Sequence, residues 1–207
     1  MGAGYYERRI FPWLNDRLAA EPALQALRAE TLATAVGRVL EIGFGSGANL
    51  PHYPRSVRAV TGVEPNPGMT ARAGVRIRAA QMPVSVIAGQ AERLPLRAAQ
   101  FETAVSTLTL CSVQDPLAVL AEIRRVLVPG GRFIVLEHGL ADDPGVARWQ
   151  RRLDGLQGIV GCGCSLTRPV AVLLEQAGFR VVELRTFFAP KVPRTHGWIT
   201  AGVSMRA

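Results

Sequence analysis

The stretch Val39-Leu40-Glu41-Ile42-Gly43-Phe44-Gly45-Ser46-Gly47 decides the fold. Val39, Leu40 and Ile42 around a single acid have the composition of a buried strand, and that strand runs without a break into three alternating glycines. Glycine has no Cβ, so this turn can take positive φ and bring its main chain within contact distance of a ligand. A helix opened by the turn would present free N–H groups to the same ligand. The turn alone does not name that ligand, because Gly43, Gly45 and Ala48 also satisfy the dinucleotide pattern GxGxx(G/A).

Outward from the turn, strand and helix patterns alternate. Short apolar runs rich in β-branched residues recur at 59–63, 84–87, 103–108 and 132–136, beside the first at 38–42. Leu117, Leu120, Ile123 and Leu127 are spaced for a helix over 117–126, which Pro129-Gly130-Gly131 stops. Five strands joined by helical crossovers imply a parallel, doubly wound sheet. After a helix over 169–177, closed by Gly178, two apolar runs at 180–187 and 198–205 follow with no helix between them and pair antiparallel. The expected fold is α/β: a doubly wound, mostly parallel seven-stranded sheet with an antiparallel C-terminal pair, in one domain over 1–207. A helix over 21–36 belongs to an N-terminal cap, 1–36, and residues 139–168, with Trp149 among them, form an insertion rich in Arg and Gly.

Composition narrows the partners. A hydrophobic content of 48% in 207 residues is ample for a core. The net charge of +8 would suit a nucleic-acid face, but of the 24 basic residues only Lys191 is lysine and the arginines are dispersed. Their short runs are not interleaved with aromatics that could stack on bases, so no nucleic-acid partner is expected. Cys111, Cys162 and Cys164 form neither a disulfide framework nor CxxC pairs, which points to a reducing cytoplasm. Residues 1–9 lack the apolar core of a signal peptide and no stretch approaches a spanning helix, so neither export by that route nor stable membrane insertion is expected. Nothing in the sequence sets an oligomeric state.

Glu64 stands directly after Val60-Thr61-Gly62-Val63 and before Pro65, where a carboxylate can accept both hydroxyls of a ribose. Three further segments separate the possible cofactors: Gly89-Gln90-Ala91-Glu92-Arg93-Leu94-Pro95 after the third strand, Thr107-Leu108-Thr109-Leu110 after the fourth, and Leu127-Val128-Pro129-Gly130-Gly131 before the fifth. With the glycine turn, this series resembles the motifs of class I S-adenosylmethionine (SAM) dependent methyltransferases in order and spacing. The resemblance implies SAM as cofactor, Gln90 and Ala91 facing its adenine, and Thr107 lying under its methionine part. It implies an acceptor-side lid in the insertion 139–168. Many relatives carry Asp where Gln90 stands. Toward the C-terminus, Leu110-Cys111-Ser112-Val113, Glu137-His138 and Gly163-Cys164-Ser165-Leu166-Thr167-Arg168 resemble the methyltransferase-like 7 group, whose members methylate small thiols. Gly89-Gln90-Ala91-Glu92 looks more like the quinone-methylating enzymes, and the apolar membrane anchor of the eukaryotic thiol group is not found here.

Together these readings make Glu41, Gly43, Gly45, Gly47, Asn49, Glu64, Pro65, Gln90, Ala91, Glu92 and Thr107 the expected cofactor-binding residues. Asn49 either bonds the cofactor carboxylate or caps the first helix. His138, at the carboxyl end of the fifth strand, is the candidate catalytic base, or a histidine bonded to backbone at a strand end. His196 sits between the last two strands and either reaches the same pocket or lies on the surface; His52 is given no role. Cys111 reads as a small buried residue. Cys162 and Cys164 with a histidine were the one metal arrangement to consider, and displacement from a sulfonium requires none, so no metal is expected. Tyr5, Tyr6, Phe11 and Trp13 suggest an apolar flap. The expected activity is methyl transfer from SAM to a small molecule, either a thiol or, by O-, N- or C-methylation, a quinone, lipid or secondary metabolite. A nicotinamide oxidoreductase and a non-catalytic module of the same fold are the competing readings.

Overall fold

In the computed structural model, which describes residues 4–207, seven strands form one sheet. The strands are β1 (Gly37–Ile42), β2 (Val57–Val63), β3 (Val84–Ile87), β4 (Phe101–Thr107), β5 (Leu127–His138), β6 (Phe179–Phe188) and β7 (Trp198–Arg206). Their order across the sheet is β3-β2-β1-β4-β5-β7-β6. β1 to β5 are parallel, and β7 inserts antiparallel between β5 and β6. The doubly wound sheet with its antiparallel terminal pair is therefore present. The order reverses at β1/β4, so ligands are expected beyond the carboxyl ends of those two strands.

Among the described residues seven α-helices accompany the sheet: α1 (Phe11–Ala19), preceded by a π-helical turn over Tyr6–Ile10, α2 (Pro22–Leu32), α3 (Pro67–Ala79), α4 (Pro116–Val126), α5 (Pro144–Val160), α6 (Val170–Gln176) and α7 (Arg194–Gly197). Both faces of the sheet are covered, which is why its central strands are almost wholly apolar. Leu40 and Ile42 point to one side, where they pack with Leu120 and Ile123 of α4 and Leu174 of α6. Val39 points to the other, against Leu32 of α2 and Ala73 of α3. Each large aliphatic side chain buried this way contributes roughly 1.5–3 kcal/mol. α3, α4 and α5 each start on a Pro preceded by Asn66, Asp115 or Asp143, whose side chains accept from the N–H of Gly68, Ala118 and Val146.

Several boundaries differ from the sequence expectation for identifiable reasons. The glycine turn opens no α-helix; residues 43–56 hold a single 3-10 turn, Leu50–His52, because Pro51 and Pro54 interrupt any longer helix. The crossover from β3 to β4 is also without a helix. The expected helix over 21–36 stops at Leu32, since Val36 is drawn into the sheet by two hydrogen bonds to Thr103 Oγ1. β5 begins at Leu127, directly after α4, so the Pro-Gly-Gly segment lies inside the strand, where Gly130 at φ +71° accommodates an irregular register against β4. One helical turn, α7, interrupts the connection between β6 and β7. The first three residues of the expected 1–36 cap lie outside the described residues. Among the described residues no helix is long and apolar enough to cross a membrane.

Candidate active site

The turn after β1 is built as its glycines require. Gly43, Gly45 and Gly47 have φ of +66°, +59° and +75°. At Gly43 a Cβ would stand 2.1 Å from Thr109 Oγ1, which places the loop after β4 directly against the turn. Gly43 and Phe44 both donate their N–H to the carbonyl of Val63, tying the turn to the end of β2.

Glu64 follows β2 and is nearly enclosed, at 7% exposure. Its Oε2 accepts from Gly45 N at 2.9 Å and its Oε1 from Asn66 N at 2.8 Å. Burial raises its pKa above the usual carboxylate range, and these two main-chain bonds oppose the rise. Each oxygen retains lone pairs for hydroxyls of a ligand. A cleft of about 460 Å³ opens here, lined by Glu64, Pro65, Pro67, Thr70, Ala71 and Ala88. A second cleft of about 530 Å³ lies at the opposite edge of the sheet between Arg38, Arg58 and Glu102, and is spanned by the Arg58–Glu102 ion pair.

Beneath the turn lies a buried polar network. Asn49 Nδ2 donates to Glu41 Oε1 at 2.9 Å and to Thr107 Oγ1 at 3.0 Å, and Tyr53 Oη donates to Glu41 Oε2 at 2.7 Å. Arg28, from α2, donates through Nη1 to Asn49 Oδ1 and to Thr107 Oγ1. Burial pushes the Glu41 carboxyl up to about 7, against the hydrogen bond from Tyr53 and the charge of Arg28. Asn49 precedes the 3-10 turn Leu50–His52 but makes no side-chain capping bond to it; its side chain instead joins β1, β4 and α2. Arg28 and Tyr53 escaped the sequence reading. Arg28 carried a signal, because it falls at helical spacing with Leu24, Leu27, Thr31 and Leu32 on the inward stripe of α2.

The third expected group is only partly assembled. Ala88 lines the cleft and Gln90 is exposed beside it, while Ala91 turns into the core. Glu92 Oε1 is taken up by the N–H of Gln114 and Asp115, which bolts the β3–β4 connection to the start of α4.

On the acceptor side, Glu137 is fully buried and pins the loop after β4. Its carboxylate accepts from Ser106 Oγ at 2.6 Å and from the N–H of Thr109 and Leu110. That loop starts with Leu108 at φ +54°, a strained position for a branched side chain at a ligand edge. His138 Nε2 lies 3.1 Å from Cys164 Sγ, which in turn lies 3.7 Å from Cys111 Sγ. The histidine thus neighbours Cys111 and Cys164; Cys162, half-buried at φ +50°, is no part of that group. His196 is held by Thr195 and by Gln157 of α5, so it braces the insertion. His52 contacts Gln25 of α2.

The insertion and the N-terminal segment meet above the site. Tyr6 Oη donates to the Val160 carbonyl at the end of α5, and Asn66 Nδ2 donates to the Glu7 carbonyl. Tyr5 and Trp13 are largely exposed rather than folded inward. Asp154 of α5 accepts from Ser165 Oγ and Leu166 N, fixing the loop that carries Cys164.

These residues fit the expected cofactor. The Glu64 cleft has the size and the carboxylate to take an adenosine, and Arg28 Nε, buried without a partner among the described residues, is a donor available to a carboxylate. Comparison with known proteins agrees. Residues 40–135 match the family described as Methyltransferase domain. The chain is 35% identical over 200 residues to human Thiol S-methyltransferase TMT1B, covering 93% of the chain and 79% of that protein, while its match to the rat protein of the same name spans 61% of the latter's length. It is 30% identical over 183 residues to the Ubiquinone/menaquinone biosynthesis C-methyltransferase UbiE of Syntrophotalea carbinolica, covering 78% of the chain and 76% of that protein. A crystal structure from Thermotoga maritima, described as a SAM-dependent methyltransferase and possible histamine N-methyltransferase, shares the fold with a TM-score of 0.70 at 23% identity over 98% of both chains. The nicotinamide reading falls with these matches, and the chain belongs to the SAM-dependent methyltransferases, enzymes that take their methyl group from S-adenosylmethionine.

Proposed function

We propose that this enzyme methylates a small thiol at the carboxyl edge of the sheet, under a lid formed by residues 139–168 and braced by the N-terminal cap. The observation that carries the reading is the extent of the likeness to the human thiol S-methyltransferase. A match over 93% of the chain necessarily runs through the lid, the part of the molecule that faces the acceptor.

The bound cofactor supplies an electrophilic methyl carbon on a sulfonium. The chain holds its adenosine with Glu64, Pro65 and the glycine turn, and its methionine end with Arg28, Asn49 and Thr107 above Glu41. Ala88 and the Gln90-Ala91 backbone border the adenine. Glu92 supports this arrangement indirectly, through the start of α4. With the cofactor held this way, these residues would set its methyl group toward the acceptor edge, where a thiol would take the methyl in exchange for its proton. Holding the two reactants in line supplies roughly 7–11 kcal/mol toward the barrier. His138 stands at the acceptor edge as the residue that assists loss of that proton. Three free cysteines suit a reducing cytoplasm, and dispersed arginines suit a small-molecule acceptor over a nucleic acid.

The test is a competition between small thiols and quinols with the purified enzyme and SAM, read by formation of S-adenosylhomocysteine. Turnover of the thiols is expected; turnover of quinols alone would replace this reading with C- or O-methylation.

A further inference from the structure

The lid loop delivers a second sulfur to the end of β5. Ser165 N donates to the Cys111 carbonyl and Arg168 Nη2 to the Val113 carbonyl, so the loop 162–168 is fastened to the segment after β4 and Cys164 faces Cys111. The Cys111 and Cys164 sulfurs and a nitrogen of His138 all lie within 4.8 Å of one another. Cys111 and Cys164 are buried and no disulfide joins them. Two cysteine sulfurs and an imidazole nitrogen converging in one buried site are the donor set of a soft divalent cation.

The spacing suits one ion in particular. Zinc–sulfur bonds of about 2.3 Å at a tetrahedral angle put two sulfurs about 3.8 Å apart, and sulfur and imidazole nitrogen about 3.5 Å apart. The structure has 3.7 Å between the sulfurs and 3.1 Å between Cys164 Sγ and His138 Nε2, so a small outward shift of the imidazole completes the geometry. His138 Nδ1 is buried without a partner among the described residues, and Nε2 faces the Cys164 sulfur. Three soft protein ligands leave a tetrahedral ion one free position, the ligand count of catalytic rather than structural zinc.

We propose that Cys111, His138 and Cys164 bind a zinc ion whose fourth position takes the acceptor as a thiolate. The metal half stands independently; the fourth ligand rests on the thiol reading above. The placement is suitable, because Cys111 is two residues beyond Thr109, whose side chain abuts the Gly43 turn. Binding to zinc releases the acceptor's proton to solvent and leaves a sulfur lone pair for the methyl carbon. His138 then serves as a ligand and no proton need pass to it.

The experiment uses the full chain, stripped by chelator and kept reduced with a phosphine, and titrated with zinc and, as a spectroscopic probe, cobalt(II). One equivalent per chain is expected, with thiolate-to-cobalt charge-transfer absorption, and binding at least ~10-fold weaker in Cys111→Ser, Cys164→Ser and His138→Gln. Cys162→Ser should bind as the parent does. Near-ultraviolet circular dichroism identifies any variant that fails to fold, and zinc protection of the parent thiols from alkylation, read by mass spectrometry at each cysteine, then decides without a variant. Substoichiometric binding, or binding untouched by all three ligand substitutions, would overturn the site. Cobalt absorption that does not move on adding 2-mercaptoethanol would overturn the open position. Failure of thiol turnover with the metal bound would strike the thiol reading alone.

Discussion

Arg28 Nη1 donates to Asn49 Oδ1 at 2.6 Å, one of the bonds that tie α2 to the segment following the glycine turn. The guanidinium is almost fully enclosed, and its Nε has no partner among the described residues. A buried donor left free in this way is suited to an incoming carboxylate. Replacing it with Met keeps the length of the side chain and removes the charge. Arg28→Met is expected to weaken SAM binding by roughly 10–100-fold, measured by calorimetry. Unchanged affinity would assign Arg28 to structure alone.

Glu41 makes stability depend on pH. Its carboxyl has a pKa of about 7 in the folded chain against 4.5 ordinarily, so the folded state holds the proton more tightly. The contribution is fully present below pH 4.5 and is lost as pH rises through 7. It amounts to on the order of 3 kcal/mol. Thermal unfolding from pH 5 to 8 should show a falling Tm, and Glu41→Gln, which keeps an acceptor for Tyr53, should flatten that slope.

Gly43 separates conformational need from mere pattern. A Cβ there would overlap the Thr109 side chain and would impose a positive φ on a non-glycine residue, whereas a Cβ at Gly89 meets nothing within 4 Å. Gly43→Ala should cost about 2 kcal/mol or more of stability, with loss of SAM binding, and Gly89→Ala should leave both nearly as they are. Paired thermal melts and calorimetry check this.

The hydrogen bond from Tyr6 Oη to the Val160 carbonyl joins the N-terminal segment to the end of α5 across an exposed surface. Tyr6→Phe is expected to change global stability by only about 1 kcal/mol. If the lid is a unit that the cap restrains, hydrogen exchange should quicken at the end of α5 and in the 162–168 loop while the sheet amides stay protected.

The central sheet was legible in the sequence because both its faces are buried, so β1, β2, β4 and β5 appear as apolar runs whatever packs on them. Helix boundaries were less so. The proline pair Pro51 and Pro54 cancels the helix that the glycine turn suggested; α4 does end at Val126 as its pattern indicated, but residues 127–131 run on as the start of β5. Within the site, Glu64 could be located because it directly follows β2 and is held by Asn66, two residues on, and by Gly45 of the glycine turn. Arg28 meets Thr107 across 79 positions, and Cys111 meets Cys164 across 53, contacts set by the topology alone. The metal arrangement weighed in the sequence joined Cys162 and Cys164 to a histidine, whereas the fold groups Cys164 with Cys111 and His138 and leaves Cys162 out.

The measurement closest to the central claim is calorimetric titration of SAM into the intact chain and into Glu64→Ala. The account predicts a saturable one-to-one isotherm for the first and at least ~100-fold weaker binding for the second, since two hydroxyl contacts and the anchor of Gly45 disappear together. An isotherm indifferent to that substitution, or no heat with the parent chain, would contradict it.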